Sequence, residues 1–155
     1  MSIINPFSVT IVFVLVLIGL AVFRPAVGRV VCGVFFLIMA LGVNVPVTLI
    51  DPTLFAQAGA HAVLPVYRWF FTEVLARYPL PFVIALILFE TTVGVLILSR
   101  GKAVRLGLLG AVLFCLFLTP VGVEEFTAPL LAIPYALLMR KDFHQPVLRL
   151  SRAAG

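Results

Sequence analysis

Apolar residues run along this chain in long blocks, without the period-two alternation of strands or the one-sided stripe of surface helices. Five blocks stand out, at 4–23, 30–50, 82–99, 106–123 and 126–139, separated by polar, basic or proline-containing turns. A helix crossing a hydrocarbon core about 30 Å thick needs roughly 20 apolar residues. The first two blocks reach that length and the next two fall slightly short. The last suits a tilted helix or a half-crossing one. The pattern predicts an all-α integral membrane helical bundle with four to five transmembrane segments. It forms one domain over 1–155, with an outer connection at 51–81 and a basic tail at 140–155.

Composition agrees with that solvent. Of 155 residues 63% are hydrophobic and 11% charged, with mean hydropathy +1.25. A soluble domain is roughly half apolar and about a quarter charged, so this chain has too little polar surface to cover itself in water. The first eight residues, MSIINPFS, carry no basic side chain, and no small-x-small site follows the first block. That block is therefore expected to be a retained span and not a cleaved signal.

The formal charge of +5 reads as topology and not as a nucleic-acid surface. With five spans, Arg24, Arg29, Arg100, Lys102, Arg105, Arg140, Lys141, Arg149 and Arg152 all fall on one side. The opposite side holds Arg68 and Arg77 beside Asp51, Glu73, Glu124 and Glu125. Basic residues mark the cytoplasmic face, which predicts a multi-pass protein of the plasma (inner) membrane, N-terminus outside and C-terminus cytoplasmic. Four spans would put the basic tail outside, so charge supports the fifth.

The connection 51–81 has structure of its own. Asp51 before Pro52 resembles an N-cap with proline at the first helical position. YRWFFTEVLARY interleaves aromatics with charges, and Glu73 and Arg77 stand four apart in the favourable order for a helical pair. One or two short interfacial helices over the outer mouth are expected; an aromatic belt that merely anchors the chain gives the same pattern.

Several chemistries are excluded. There is no Gly-rich phosphate loop, no G-x-S-x-G and no H-E-x-x-H. His61 and His144 fall on opposite sides and cannot share a metal. Cys32 and Cys115 form no C-x-x-C and lie in apolar runs, as small core residues do. Their expected depths differ by ~10 Å at about 1.5 Å per residue, too far for a disulfide between upright helices. Ala103, Gly107 and Ala111 make a small-xxx-small face for close helix approach.

One feature resists the bland reading: Glu90, in the middle of ALILFETTVGVLIL. It lies ~12 Å from the outer end of its block, Asn44 ~9 Å and Tyr135 ~13 Å, counting about 1.5 Å per residue. Thr48, Thr91, Thr92 and Thr119 share that level, as do Pro46, Pro120 and Pro134, each of which frees a helix carbonyl. Backbone groups freed within lipid persist only where protein or a water-filled cavity satisfies them. A small polar pocket is expected there, lined by Glu90, Asn44, Tyr135 and Thr119 with Arg68 above. It would bind a ligand or handle a proton. An ionised carboxylate is costly in the bilayer. Either Glu90 is protonated and donates a hydrogen bond, or Arg68 or Arg77 reaches down to pair with it. A tie between helices through Asn44 or a threonine accounts for the same residues without any ligand.

From residue 29 to 139 the order of parts resembles the DoxX-like family of small membrane proteins, which includes the membrane subunit of thiosulfate:quinone oxidoreductase. An arginine opens a helix in GRVVCGVFFLIMALGV and a long outer connection follows. Then come a mid-span glutamate with glycine in FETTVGVLIL, a basic turn in SRGKAVRLG, and two final spans. The block 4–23 is extra to the usual four-helix unit, and the lack of a redox cysteine pair removes any thiol mechanism. The resemblance implies an accessory subunit with no catalytic activity of its own, assembling with a quinone-linked redox or other membrane enzyme. Glu90 and Arg29 stand at the matching positions. It implies contact with quinone or lipid and no resident cofactor. Its partners would be membrane lipids, other membrane subunits or further copies of the chain. The alternative is a small transporter-like or lipid/quinone-binding protein using Glu90 as intramembrane proton acceptor. A lipid isomerase ranks below both, because a single well-placed carboxylate is little for acid–base work.

Overall fold

The computed structural model describes residues 6–121 and 128–147, with side chains described from Ser8. Among these residues the structure is helical with turns and has no strand. In order come α1 (Pro6–Phe23), α2 (Pro25–Leu37), a π-helical segment (Ile38–Asn44) and α3 (Val45–Ile50). These are followed by α4 (Leu54–Ala58), α5 (Pro65–Trp69), a second π segment (Phe70–Leu75), α6 (Pro79–Leu98), α7 (Lys102–Leu118) and α8 (Ala128–Met139).

The helices start earlier than the apolar blocks suggest. Pro25 and Pro79 read as turn residues, yet each opens its helix. Proline at the first helical position loses nothing, since its missing N–H has no partner there anyway. α7 likewise begins at Lys102, four residues ahead of block 106–123, because Lys102 and Arg105 extend outward from its first turns. It stops at Leu118, ahead of Pro120. The expected end of that block and the start of 126–139 lie outside the described residues, as do Glu124, Glu125, Arg149 and Arg152.

From Pro25 the chain stays helical to Ile50, 26 residues, and Pro79–Leu98 is 20; these two helices are long and apolar enough to cross a membrane. Ser8–Phe23 and Ala128–Met139 are apolar but shorter. Ile38–Asn44 widens into π geometry just before Pro46. Pro46 has no N–H to return to the previous turn, and the wider winding accommodates the break.

The five long helices pack as a closed ring: α1 on α2, α2 on α6, α6 on α7, α7 on α8, and α8 back on α1. Leu17, Phe36, Ile97, Leu108, Tyr135 and Leu138 fill the centre. Outward faces remain apolar, with Leu15, Leu41, Leu88 and Leu106 exposed. Glycines set close backbone approaches between α2 and α6 and between α6 and α7. A Cβ on Gly33 would lie 3.2 Å from the Gly94 carbonyl oxygen, and one on Gly94 3.0 Å from that of Gly33. Gly107 of the small face packs likewise on the α6 backbone, 2.8 Å from the Ile97 nitrogen if given a Cβ.

Residues 51–81 do form short helices over one end of the ring, with two corrections. Asp51 does not cap a helix starting at Pro52. It ends α3, and its Oδ1 accepts from the Thr53 amide (2.9 Å) and hydroxyl (2.6 Å), an Asx-type turn that delays α4 to Leu54. Glu73 and Arg77 do not pair, since Arg105–Asp142 is the ion pair present among the described residues. The helix winds as π over Phe70–Leu75 and ends before Arg77, so side chains four apart no longer stack.

Candidate functional site

Glu90 and Asn44 face each other across the α2–α6 seam. Gly33 and Leu37 already meet α6 at Gly94, and two turns after Leu37 the same face presents Asn44, the last residue of the π segment. Glu90 stands one turn before Gly94 on α6. The Asn44 Nδ2 donates to Glu90 Oε2 at 2.6 Å, with both side chains buried. The Thr48 hydroxyl donates to the Asn44 carbonyl at 2.6 Å, occupying an acceptor beside the proline break.

The pair lies on the wall of a cavity of about 780 Å³ beneath α4 and the second π segment, within the roughly 300–1,000 Å³ of small-molecule sites. Sequence reasoning expected a small polar pocket, and the structure corrects both adjectives. Nine phenylalanines line it, drawn from α2, α4, the second π segment, α6 and α7. Clustered aromatics that read as an interfacial belt thus partly turn inward as a roof, with Phe55, Phe70 and Phe71 over the cavity. The Phe70 ring packs edge-to-face on Phe82 at 5.2 Å and Tyr67 packs at a tilt on Phe117 at 5.4 Å, pinning the roof to α6 and α7. The Val63 amide donates to the Pro120 carbonyl at 3.0 Å, a third tie.

Tyr135 reaches the same cavity from α8. It is fully buried, its ring is 5.8 Å from Phe36, and its hydroxyl has no hydrogen-bond partner among the described residues. A buried hydroxyl without a partner costs about 1–3 kcal/mol, so this group stands ready for an external one.

Two expected members stand elsewhere. Thr119 does not line the cavity; its hydroxyl donates to the Cys115 carbonyl one turn back, as a lone threonine in an apolar helix usually does. Arg68 does not reach Glu90, because its Nη2 donates to the Ala62 carbonyl at 3.2 Å and closes the loop ahead of α5. Arg77 forms no pair with Glu90 either. The carboxyl is thus met by a carboxamide, without a counter-charge.

At the other end of the bundle Arg29 occupies a position that the residues alone did not single out. It is 1% exposed. Nη1 donates to the Ser99 carbonyl at 3.2 Å and Nη2 to that of Gln145 at 3.1 Å, with the guanidinium 4.6 Å over the Phe143 ring. Beside it Gly101, with φ +58° where a side chain would be strained, donates its amide to the Phe143 carbonyl at 2.7 Å. Arg105 reaches Asp142 at 2.6 Å. Helix α2, the α6–α7 turn and the tail are thereby joined. Arg29 reads in sequence as one more topological cation because its partners are carbonyls remote along the chain.

Cys32, Cys115 and Tyr135 belong to one buried cluster, and no disulfide joins the cysteines. Comparison with known proteins finds no matching family model, no matching curated protein and no matching solved structure.

Proposed function

We propose that this chain is an integral membrane protein whose ring of five helices spans the bilayer, N-terminus outside and C-terminus cytoplasmic. It acts as a DoxX-like accessory subunit beside a quinone-linked or other membrane enzyme. Outward faces lined with leucine and valine support a lipid surroundings, since soluble monomers rarely expose contiguous apolar area of this extent. The basic groups Arg100, Lys102, Arg105, Arg140 and Lys141 gather at the tail end, as a cytoplasmic face requires. The observation that carries a binding role is the aromatic cavity with Glu90, Asn44 and Tyr135 on its walls: an apolar volume with a few placed polar groups is the usual make-up of a small-molecule site. The test is purification of the tagged chain from native membranes in mild detergent, identifying both polypeptides and small molecules. A stoichiometric larger partner, lost or functionally impaired with Glu90→Gln, is the expected result. The chain emerging alone, with and without that substitution, would overturn the reading.

A second reading rests on Glu90 lacking a cation partner. A lone buried acid in a bundle is a natural proton acceptor, and the protein by itself would move protons or a solute. Proteoliposomes containing only this chain would then show flux that Glu90→Gln abolishes; equal flux in both variants rejects it.

A further inference from the structure

The cavity is unequally closed. Its deep walls are sealed, with Phe36 2% and Tyr135 0% exposed. The side chains that α7 and α6 contribute to one edge are open: Leu113 is 57% exposed, Phe117 55% and Phe89 40%, though each lines the cavity. A residue that both borders a cavity and is open to the outside marks its rim. The two helices touch at the tail end, where a Cβ on Gly107 would meet the Ile97 backbone, and nearer the roof the tilted rings of Phe89 and Phe114 pack at 5.5 Å. Beyond that contact they are bridged by the roof through Tyr67–Phe117 and Phe70–Phe82. The opening is therefore sideways, between α6 and α7, under a lid of aromatic rings.

Resting on the membrane reading above, we infer that this gap is a portal through which an amphiphile from the outer leaflet slides its head toward Glu90, Asn44 and Tyr135. The chemistry of the walls selects the head. Carboxyl, carboxamide and phenol offer donors and acceptors, and no cation stands among them to compensate an anion. A head with a hydroxyl or carbonyl and no negative charge satisfies the Tyr135 hydroxyl; a phosphate faces Glu90 uncompensated. The aromatic walls take the apolar body, and the tail remains in the bilayer through the gap. Access from lipid also explains why the rim is leucine and phenylalanine, with no polar funnel toward water.

The test uses the full chain in phosphatidylcholine vesicles containing a diacylglycerol with a diazirine near the carbonyl end of one acyl chain. After irradiation the labelled residues are mapped by mass spectrometry. The expected result is label on interior residues, Phe36 and Leu131, beside the unavoidable label on the outward face of α1 at Leu15. Leu113→Trp and Phe117→Trp, which fill the rim, lower the interior label about tenfold relative to Leu15. Leu106→Trp, equally bulky and exposed on α7 but away from the cavity, leaves it unchanged. A phosphatidic acid bearing the same reactive chain labels Leu15 only. Interior label absent in wild type, or undiminished in both rim variants, overturns the portal; equal interior label from phosphatidic acid overturns the head selection. Neither outcome alters whether a partner co-purifies, so failure here and failure of the accessory-subunit reading are told apart.

Discussion

Asn44 and Glu90, 46 residues apart in sequence, share a 2.6 Å hydrogen bond between the π segment and α6. The bond is possible because the glycine contact at Gly33 and Gly94 draws the two helices together one turn beyond Glu90. It gives the buried acid a partner while leaving it on the cavity wall.

Removing that partner should cost more than neutralising the acid. Asn44→Leu strands a buried carboxyl and is expected to destabilise by about 1–2 kcal/mol, within the range for lost interhelical hydrogen bonds and unsatisfied polar groups. Glu90→Gln keeps an acceptor oxygen for Asn44 Nδ2 and should cost under about 1 kcal/mol. Thermal unfolding in detergent, run on both single variants and the double, reads the difference and the coupling. A larger loss in Glu90→Gln than in Asn44→Leu contradicts this account.

The α2–α6 seam should reject any side chain at Gly94. A Cβ there would come within 2.8 Å of Leu37 and 3.0 Å of the Gly33 carbonyl, and backbone cannot yield as a side-chain tip can. Gly94→Ala is expected to cost about 1–3 kcal/mol, the usual penalty for overpacking. Gly19→Ala, where a Cβ meets nothing within 4 Å, should be neutral or slightly stabilising. The same unfolding assay compares them; equal stability would mean that the helices do not pack as described.

Arg29 should not tolerate lysine. An ammonium cannot hold the carbonyls of Ser99 and Gln145 together while sitting over Phe143, because a lysine head is a point charge on a flexible stem. Arg29→Lys is expected to cost about 1–2 kcal/mol locally and to raise hydrogen exchange at the Gly101 amide and through 141–147. Unchanged exchange there, at unchanged charge, would show that the guanidinium does not hold the tail.

The turn at Asp51 should depend on acid. Two hydrogen bonds from Thr53, the side-chain one first, hold the Asp51 carboxyl below the usual carboxylate range. A carboxyl whose native value is depressed contributes fully above its unfolded value and loses that contribution as pH falls through the native one. Exchange at the Thr53 amide should therefore be slow at neutral pH relative to Asp51→Ala, and the protection should vanish in strong acid. Protection equal in both variants at neutral pH would remove the Asx-type turn.

Much of the helical layout was legible in the apolar blocks, because helices of this kind are written locally, residue by residue. Where the boundaries moved, at Pro25 and Pro79, the reason was proline at a first helical position, which reads in sequence as a break. The level of Glu90, Asn44 and Tyr135 could be counted from the chain, since rise per residue is constant. Which way each one faces could not. Thr119 and Arg68 share the level and turn to backbone carbonyls instead.

By itself the sequence determined that the chain is helical and apolar beyond the needs of a soluble core, and that one acid is embedded among its blocks. The tertiary structure alone decided that the acid meets Asn44 and not an arginine, and that Phe55, Phe70 and Phe71 turn inward as a roof while Trp69 and Tyr78 stay exposed. It alone also decided that Arg29 clasps the tail. The physical reason is rotation about the helix axis: composition sets what a helix can bury, whereas contacts such as Gly33 on Gly94 set which face is buried and against what.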